Sequence, residues 1–442
     1  MSSLSSLGYK GTRDYYPEDK RVQNYIFDVW RRVVERHGYQ EYGAPLLEPL
    51  EVYTAKSGQE LANEQTYSFT DRSDRLVAIR PEMTPSISRM VAARRQELAY
   101  PARLYSIANF MRYERPQRGR EREFWQLNAD LFGADGVVAD AEIIELAYRI
   151  MTEFGAHNDM YVIRINNRGL INHMMTTYLG LDGVGSQLMV KLFDRKEKIP
   201  EQEFVRQAVE IFGNDQAEEG MQKIERLLGA TTVAELPAEL QQEESVRELA
   251  ELFEYLNEAG VQNAQFDITL MRGLDYYTGM VFEVFDLHPD NNRAMFGGGR
   301  YDGLVGLFGA ESLPTVGFAP GLTTTELFLR THNLLPELRP ATDICVIAVD
   351  DSMPAALDVA RQLRSEGVSV EVDITDRKLD RKVKAAIKKG LPYLVFVGAN
   401  EVREQLYTLK DVKTTDEKKL SIERIVSTVR DSRRQSHDDL VA

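Results

Sequence analysis

Between residues 112 and 130 the chain sets Arg112, Glu114, Arg115, Gln117, Arg118, Arg120 and Arg122 ahead of Phe124, Trp125, Gln126, Leu127, Asn128, Ala129 and Asp130. Guanidinium forks match phosphate oxygens and stay charged, so a loop this rich in arginine is suited to gripping phosphates. A charged hairpin tip between two strands is the competing reading. Beyond the loop, strand alternation puts Gln126, Asn128 and Asp130 on one face and Leu127 and Ala129 on the other, which suits a small polar substrate. Two further segments concentrate reactive types: Arg80-Pro81-Glu82-Met83-Thr84-Pro85 and Arg272-Gly273-Leu274-Asp275-Tyr276-Tyr277-Thr278-Gly279. Turn formation accounts for the prolines and glycines, but not for the guanidinium, carboxylate and paired phenols of the second segment.

Other chemistries are excluded. The histidines at 37, 157, 173, 288, 332 and 437 are scattered without ligand-like helical spacing, which argues against a histidine metal centre. No G-x-x-x-x-G-K-[ST] loop occurs, and Gly297-Gly298-Gly299-Arg300 does not fit the dinucleotide fingerprint. Cys345 is the only cysteine, so neither a disulfide framework nor a thiolate zinc site is available and a reducing compartment is expected. The net charge of -15 offers no general basic surface, so any nucleic-acid contact must be local. No apolar run reaches about eighteen residues and the first ten lack a signal-peptide core, which predicts a cytoplasmic protein without a membrane partner.

The elements that must position these residues follow from pattern. With 442 residues, 43% of them hydrophobic, the chain can form two or three compact units. Through 1–335, short alternating segments such as Val281 to Phe285 sit among turns, which favours an antiparallel sheet. Residues 170–260 carry 18 acidic against 8 basic side chains and show helical spacing over 201–213 and 218–229, so they read as a helical insertion. Pro336 and Pro340 mark a linker at 336–342, after which strand and helix patterns alternate through 343–430 as in a small α/β unit. The polar end, 431–442, reads as a frayed tail.

Taken together, the chain resembles the histidyl-tRNA synthetase family of class II aminoacyl-tRNA synthetases from Gly11 to about Leu420. The resemblance rests on Gly11-Thr12-Arg13-Asp14 with Pro17, Arg80-Pro81-Glu82-Met83-Thr84, Phe110-Met111-Arg112-Tyr113-Glu114-Arg115-Pro116-Gln117, Arg272-Gly273-Leu274-Asp275-Tyr276-Tyr277 and Gly298-Gly299-Arg300-Tyr301-Asp302-Gly303. It implies an α+β architecture: a class II catalytic domain over 1–335 with a six-stranded antiparallel sheet and helical insertion, and an anticodon-binding α/β domain over 343–430. It also implies a homodimer, and ATP-dependent activation of histidine to histidyl-adenylate followed by transfer to tRNA(His), with Mg2+ shielding the leaving pyrophosphate.

By position, the resemblance makes Arg112 and Arg272 the cations flanking the α-phosphate, with Glu114 also at ATP. It assigns Glu82, Thr84 and Gln126 to the substrate ammonium, Asp130 and Tyr277 to the imidazole nitrogens, and Tyr276 to the same pocket. Arg115, Gln117 and Arg120 would face the tRNA acceptor end. One departure stands out: where the family ends its third motif with Gly-Leu-Glu-Arg, this chain has Gly321-Leu322-Thr323-Thr324. Thr323 with Glu326 has the spacing of a capping box, so the threonine hydroxyls and the helix start are expected to serve the ATP triphosphate in place of the arginine. The same departure supports an alternative: a synthetase-like regulatory or sensor paralogue that binds histidine or tRNA without aminoacylation.

Overall fold

The computed structural model describes residues 4–54, 64–213, 215–271, 276–291 and 293–441, with side chains described to 435. Two compact units result: residues 23–334 with those up to Asp14, and residues 335–442 with 15–22.

The first unit is organised by an eight-stranded sheet in the order Gln40–Glu41, Ala102–Met111, Glu123–Phe132, Thr315–Phe318, Ala294–Arg300, Met280–Asp286, Tyr161–Asn167 and Ala264–Phe266. The inner six strands pair antiparallel throughout. A short parallel strand is added at each edge. The two longest strands are in register along their whole length, from Ala102 opposite Phe132 to Met111 opposite Glu123. Leu127, Ala129 and Leu131 are almost completely buried, as their alternation predicts. Helices Val137–Glu153 and Leu322–Thr331 pack against the sheet. The first buries Ile143, Ile144, Leu146 and Ile150, each contributing about 1.5–3 kcal/mol of transfer free energy.

Helical spacing over 201–213 and 218–229 gives helices Glu201–Phe212 and Ala217–Gly229. The first stops at Gly213, whose φ of 73° a side chain would resist. With Gly183–Asp194 they form a helical region around Phe193, Phe204 and Ile224, while helix Glu244–Glu258 packs against Val137–Glu153.

In the second unit the five strands run in the order Val370–Asp373, Ile344–Ala348, Tyr393–Val397, Tyr407–Asp411, Glu417–Leu420. The first three are parallel and the last two antiparallel. Helices Met353–Ser365 and Leu379–Lys388 lie close to the sequence expectation. The frayed tail at 431–442 is corrected: helix Ile422–Val441 runs through it. Ile425, Val426 and Val429 bury its apolar stripe, and Arg433 forks onto the Asp343 carboxylate, an anchor the polar composition concealed. Among the described residues no helix is long and apolar enough to cross a membrane.

Candidate functional site

Segments far apart in sequence converge beside strand Glu123–Phe132. Arg80 spends its donors on structure, binding Ala44 O and Asn109 O at 2.9 Å each, which fixes the turn that follows. That turn buries Glu82, only 3% exposed, and leads into helix Thr84–Ala93, where Pro85 occupies the first turn without losing a hydrogen bond. Tyr276 donates to Glu82 Oε2 at 2.9 Å. The Thr84 side chain lies alongside the same phenol. Burial, then the charge of Glu82, holds Tyr276 well above the ordinary phenol range, so it remains a donor.

Asp130 is the second buried carboxylate, also 3% exposed. Its register partner is Gly317, where a Cβ would lie 2.2 Å from Asp130 Oδ1, so only glycine lets the carboxylate rest against the neighbouring strand. Tyr301 donates to Oδ1, whereas Oδ2 is buried with no hydrogen-bond partner among the described residues. Burial pushes Asp130 up to about 7, against the downward pull of the Tyr301 bond. Tyr277 is raised by burial and then by the charges of both Glu82 and Asp130, so it lies near both carboxylates. Its ring occupies the space Gly299 leaves: a Cβ there would stand 3.1 Å from the ring carbons. Asn128 Nδ2 is likewise buried without a partner among the described residues, Ser106 lies opposite Asn128 in register, and the buried hydroxyls of Tyr42 and Ser106 have only each other nearby. Buried polar atoms are rarely left unpaired, so this surface is made to receive hydrogen bonds. Gln126, on the same strand face, is half-buried, and its backbone bridges to Gly321.

Tyr301 and Tyr42 carried no assigned role in the sequence. The two-residue step from Gly299 could have placed Tyr301 on the Tyr277 face. For Tyr42 there was no local signal. Arg300 of the same motif is an anchor: it pairs with Asp140 at 2.7 Å, both side chains buried, joining its strand to helix Val137–Glu153. Burial raises Asp140 to about 6 against the opposing charge of Arg300.

The arginine-bearing end is more open. Arg112 Nε donates to Pro81 O at 2.9 Å and the guanidinium lies 5.3 Å from the Phe124 ring centroid. Its two terminal nitrogens make no hydrogen bond among the described residues. Arg272, its proposed counterpart, lies outside the described residues with 273–275. In the loop, Gln117 and Arg120 close a backbone turn at 3.1 and 2.9 Å around Gly119, whose φ is 77°. Arg115, Gln117 and Arg120 are exposed, and Arg120 meets Glu114 at 3.2 Å.

The expected capping box does not form. Gly321 is the N-cap, without a side-chain cap, so Thr323 lies within the first turn. Glu326 is drawn away into ion pairs with Arg13 and Arg330, both at 2.8 Å. Both threonine hydroxyls are committed: Thr323 donates to Glu121 Oε2 at 3.1 Å, Thr324 to Met295 O at 2.9 Å. The backbone amides of Thr323 and Thr324 stay unbonded among the described residues. Gly119 of the arginine loop packs here, its notional Cβ 3.9 Å from the Thr324 methyl.

In the second unit, helix Leu379–Lys388 and the residue after it carry Arg381, Lys382, Lys384, Lys388 and Lys389. Lys382 is buried and Lys389 pairs with Glu371 at 2.8 Å, leaving Arg381, Lys384 and Lys388 exposed.

Comparison with known proteins matches residues 11–324 to the family described as histidyl-tRNA synthetase, and 343–432 to the anticodon binding domain. The histidine--tRNA ligase of Leptospira biflexa is 39% identical over 97% of this chain and 98% of its own length. That of Haloarcula marismortui is 36% identical over 91% and 93%. The crystal structure of histidyl-tRNA synthetase from Nostoc sp. PCC 7120 superposes with a TM-score of 0.82 at 25% identity, covering 97% of this chain and all of that one.

Proposed function

From the premise that this chain belongs to the histidyl-tRNA synthetase family and is an ATP-dependent histidine–tRNA ligase, we propose how its side chains divide the work. The observation that carries the assignment is the pair of buried carboxylates, Glu82 and Asp130, each held on one oxygen by a tyrosine, with Tyr277 near both. Histidine has an ammonium at one end and a ring N–H at the other. Glu82, with Thr84, Tyr276 and Gln126, takes the ammonium. Asp130 Oδ2 accepts the ring N–H and Tyr277 donates to the other ring nitrogen. An apolar side chain in that place would leave Asp130 and Tyr277 unpaired, which rejects it by several powers of ten.

Activation joins the histidine carboxylate to the α-phosphorus of ATP and expels pyrophosphate. Negative charge grows on the phosphorus oxygens, and Arg112, oriented by Pro81 O, meets it from one side, with Arg272 assigned to the other. Glu114 positions the loop at ATP through Arg120. At the start of helix Leu322–Thr331 the amides of Thr323 and Thr324, rather than their hydroxyls, face the triphosphate. Mg2+ would arrive on the phosphates, since among the described residues no three acidic or histidine side chains converge to cage an ion. Arg115, Gln117 and Arg120 meet the acceptor end of tRNA(His), and the unit beginning at 343 meets the anticodon. The protein works as a cytoplasmic homodimer.

Histidine-dependent pyrophosphate exchange, run with each amino acid in turn, tests the pocket: exchange with histidine alone is expected, and equal exchange with another amino acid would refute the assignment. The regulatory-paralogue alternative is set aside, because the near-full-length relatives are ligases and the anticodon-binding unit is present.

A further inference from the structure

On the outer side of the arginine loop lies a cluster of aromatic rings that the activation chemistry does not use. Arg112 and Tyr113 are consecutive on an extended stretch, so their side chains leave it on opposite sides. Arg112 packs on Phe124, and Tyr113 packs under Arg122, whose Cζ stands 4.2 Å from the Tyr113 ring centroid and 5.5 Å from that of Tyr9. Arg122 is pinned there: Nη1 donates to Tyr9 Oη at 3.1 Å and to Lys10 O at 3.4 Å, and Nε to Glu114 O at 3.1 Å. Tyr67 closes the group, edge-on to Tyr113 with centroids 5.6 Å apart and its hydroxyl 3.4 Å from that of Tyr9.

This cluster is built yet only half covered. Tyr113 is 54% exposed, Tyr9 53%, and Phe69, on the same strand face as Tyr67, 45%. Two and five residues beyond Tyr113 in the same loop come Arg115 and Arg118, exposed and without a carboxylate partner among the described residues. Fixed rings with open faces next to unpaired guanidiniums make the pattern that holds a single nucleic-acid strand, bases stacked on the rings and phosphates on the cations. ATP is not the occupant, because Arg112 and Phe124 face the other way.

We propose that Tyr113, Tyr9 and Phe69, braced by Arg122, form a stacking platform for an unpaired nucleotide of the tRNA acceptor end. The platform rests on the ligase reading above and adds to it a surface that holds the strand while its terminal adenosine reaches the adenylate. Arg115 and Arg118 would contact the adjoining phosphates.

The full-length protein and a tRNA(His) transcript provide the test. Tyr113→Leu keeps bulk under Arg122 but removes the π face. It is expected to leave pyrophosphate exchange within about two-fold of the parent while kcat/KM for aminoacylation falls roughly ten-fold or more. Tyr113→Phe keeps the face and is expected to charge tRNA within about two-fold of the parent. A transcript carrying 2-aminopurine in its unpaired 3′ segment should lose fluorescence on binding the parent protein and keep it with Tyr113→Leu. Aminoacylation by Tyr113→Leu as efficient as by Tyr113→Phe, or fluorescence indifferent to the substitution, overturns the platform. Should Tyr113→Leu also lose exchange, Tyr9→Leu repeats the readout from the second ring; loss of exchange in both assigns the cluster to scaffolding and overturns the proposal. Absent exchange in the unsubstituted protein would instead overturn the ligase reading.

Discussion

At the end of the site assigned above to the amino acid, Glu82 and Asp130 are each 3% exposed and each accepts a hydrogen bond from a tyrosine. At the end assigned to the phosphates, Arg115 and Arg120 are exposed, and Arg112 keeps two nitrogens without a partner among the described residues. The contrast follows from the two substrates. A small amino acid can be enclosed, and discrimination against near neighbours demands donors and acceptors that are already fixed and dry. A triphosphate brings its own charge and water, and a loop of guanidiniums can gather around it when it arrives. The first end is therefore expected to govern selectivity and the second to govern rate.

The largest effect expected from this contrast is at Arg112. Arg112→Ala should lower pyrophosphate exchange by roughly 10²–10³-fold, the usual loss when one preorganised charge stabiliser is removed. Histidine binding measured by calorimetry should hardly change. Arg112→Lys should restore little, because an ammonium cannot fork across two phosphate oxygens. Folding should be barely affected, since the side chain makes one hydrogen bond, to Pro81 O, worth about 1 kcal/mol. Loss of histidine affinity equal to the loss of rate would erase the distinction between the two ends.

Asp130→Asn is expected next, with kcat/KM for histidine down about 10²-fold and the KM for ATP nearly constant, because an amide cannot supply two acceptors to the pocket. The same substitution has a thermodynamic signature. Burial raises Asp130 to about 7 in the folded chain, above its unfolded value of about 4. Its ionisation therefore costs stability: the contribution is full below pH about 4, declines as pH rises, and is lost above about 7. Relative to the parent, Asp130→Asn should gain thermal stability as pH rises from about 4 to about 7 and hold that gain above it, and a pH-independent difference in Tm would show that Asp130 is not the buried acid described.

Much of this end was legible in the sequence because it follows alternation. Gln126, Asn128 and Asp130 share a face, and the six inner strands are antiparallel as the family resemblance implied. Tyr301 was visible as a letter of a motif but not as a partner, since its contact with Asp130 spans 171 residues and no local pattern encodes it. Tyr42 is recruited by tertiary packing alone. The tail beyond residue 430 looked polar because its apolar stripe, Ile425, Val426 and Val429, ends just before it and its anchor is an ion pair to the distant Asp343. The capping box misled for a related reason. Spacing paired Thr323 with Glu326, but a carboxylate in reach of two guanidiniums, those of Arg13 and Arg330, goes to them.

A finer effect is expected from Tyr301→Phe. The Tyr301 bond pulls the pKa of Asp130 down, so its loss should raise it further. Histidine affinity, which needs the ionised carboxylate, should then develop at higher pH than in the parent, with the plateau at alkaline pH little altered. A shift toward lower pH would contradict the direction of the bond.

The smallest effect belongs to the phosphate end, where the third motif departs from its family. If the threonines replaced the missing arginine through their hydroxyls, Thr323→Val with Thr324→Val should raise the KM for ATP several-fold. The geometry argues otherwise, since one hydroxyl proton goes to Glu121 and the other to Met295 O, while the amides of the same residues remain unbonded among the described residues. Valine preserves those amides. The double substitution is therefore expected to keep the KM for ATP within about two-fold and to cost about 1–2 kcal/mol of stability for two lost hydrogen bonds. It should also raise the pKa of Glu121, already elevated by burial, because the Thr323 bond lowers it. A ten-fold rise in the ATP KM would return the hydroxyls to the triphosphate, and the open end would then be as dependent on fixed side-chain donors as the closed one.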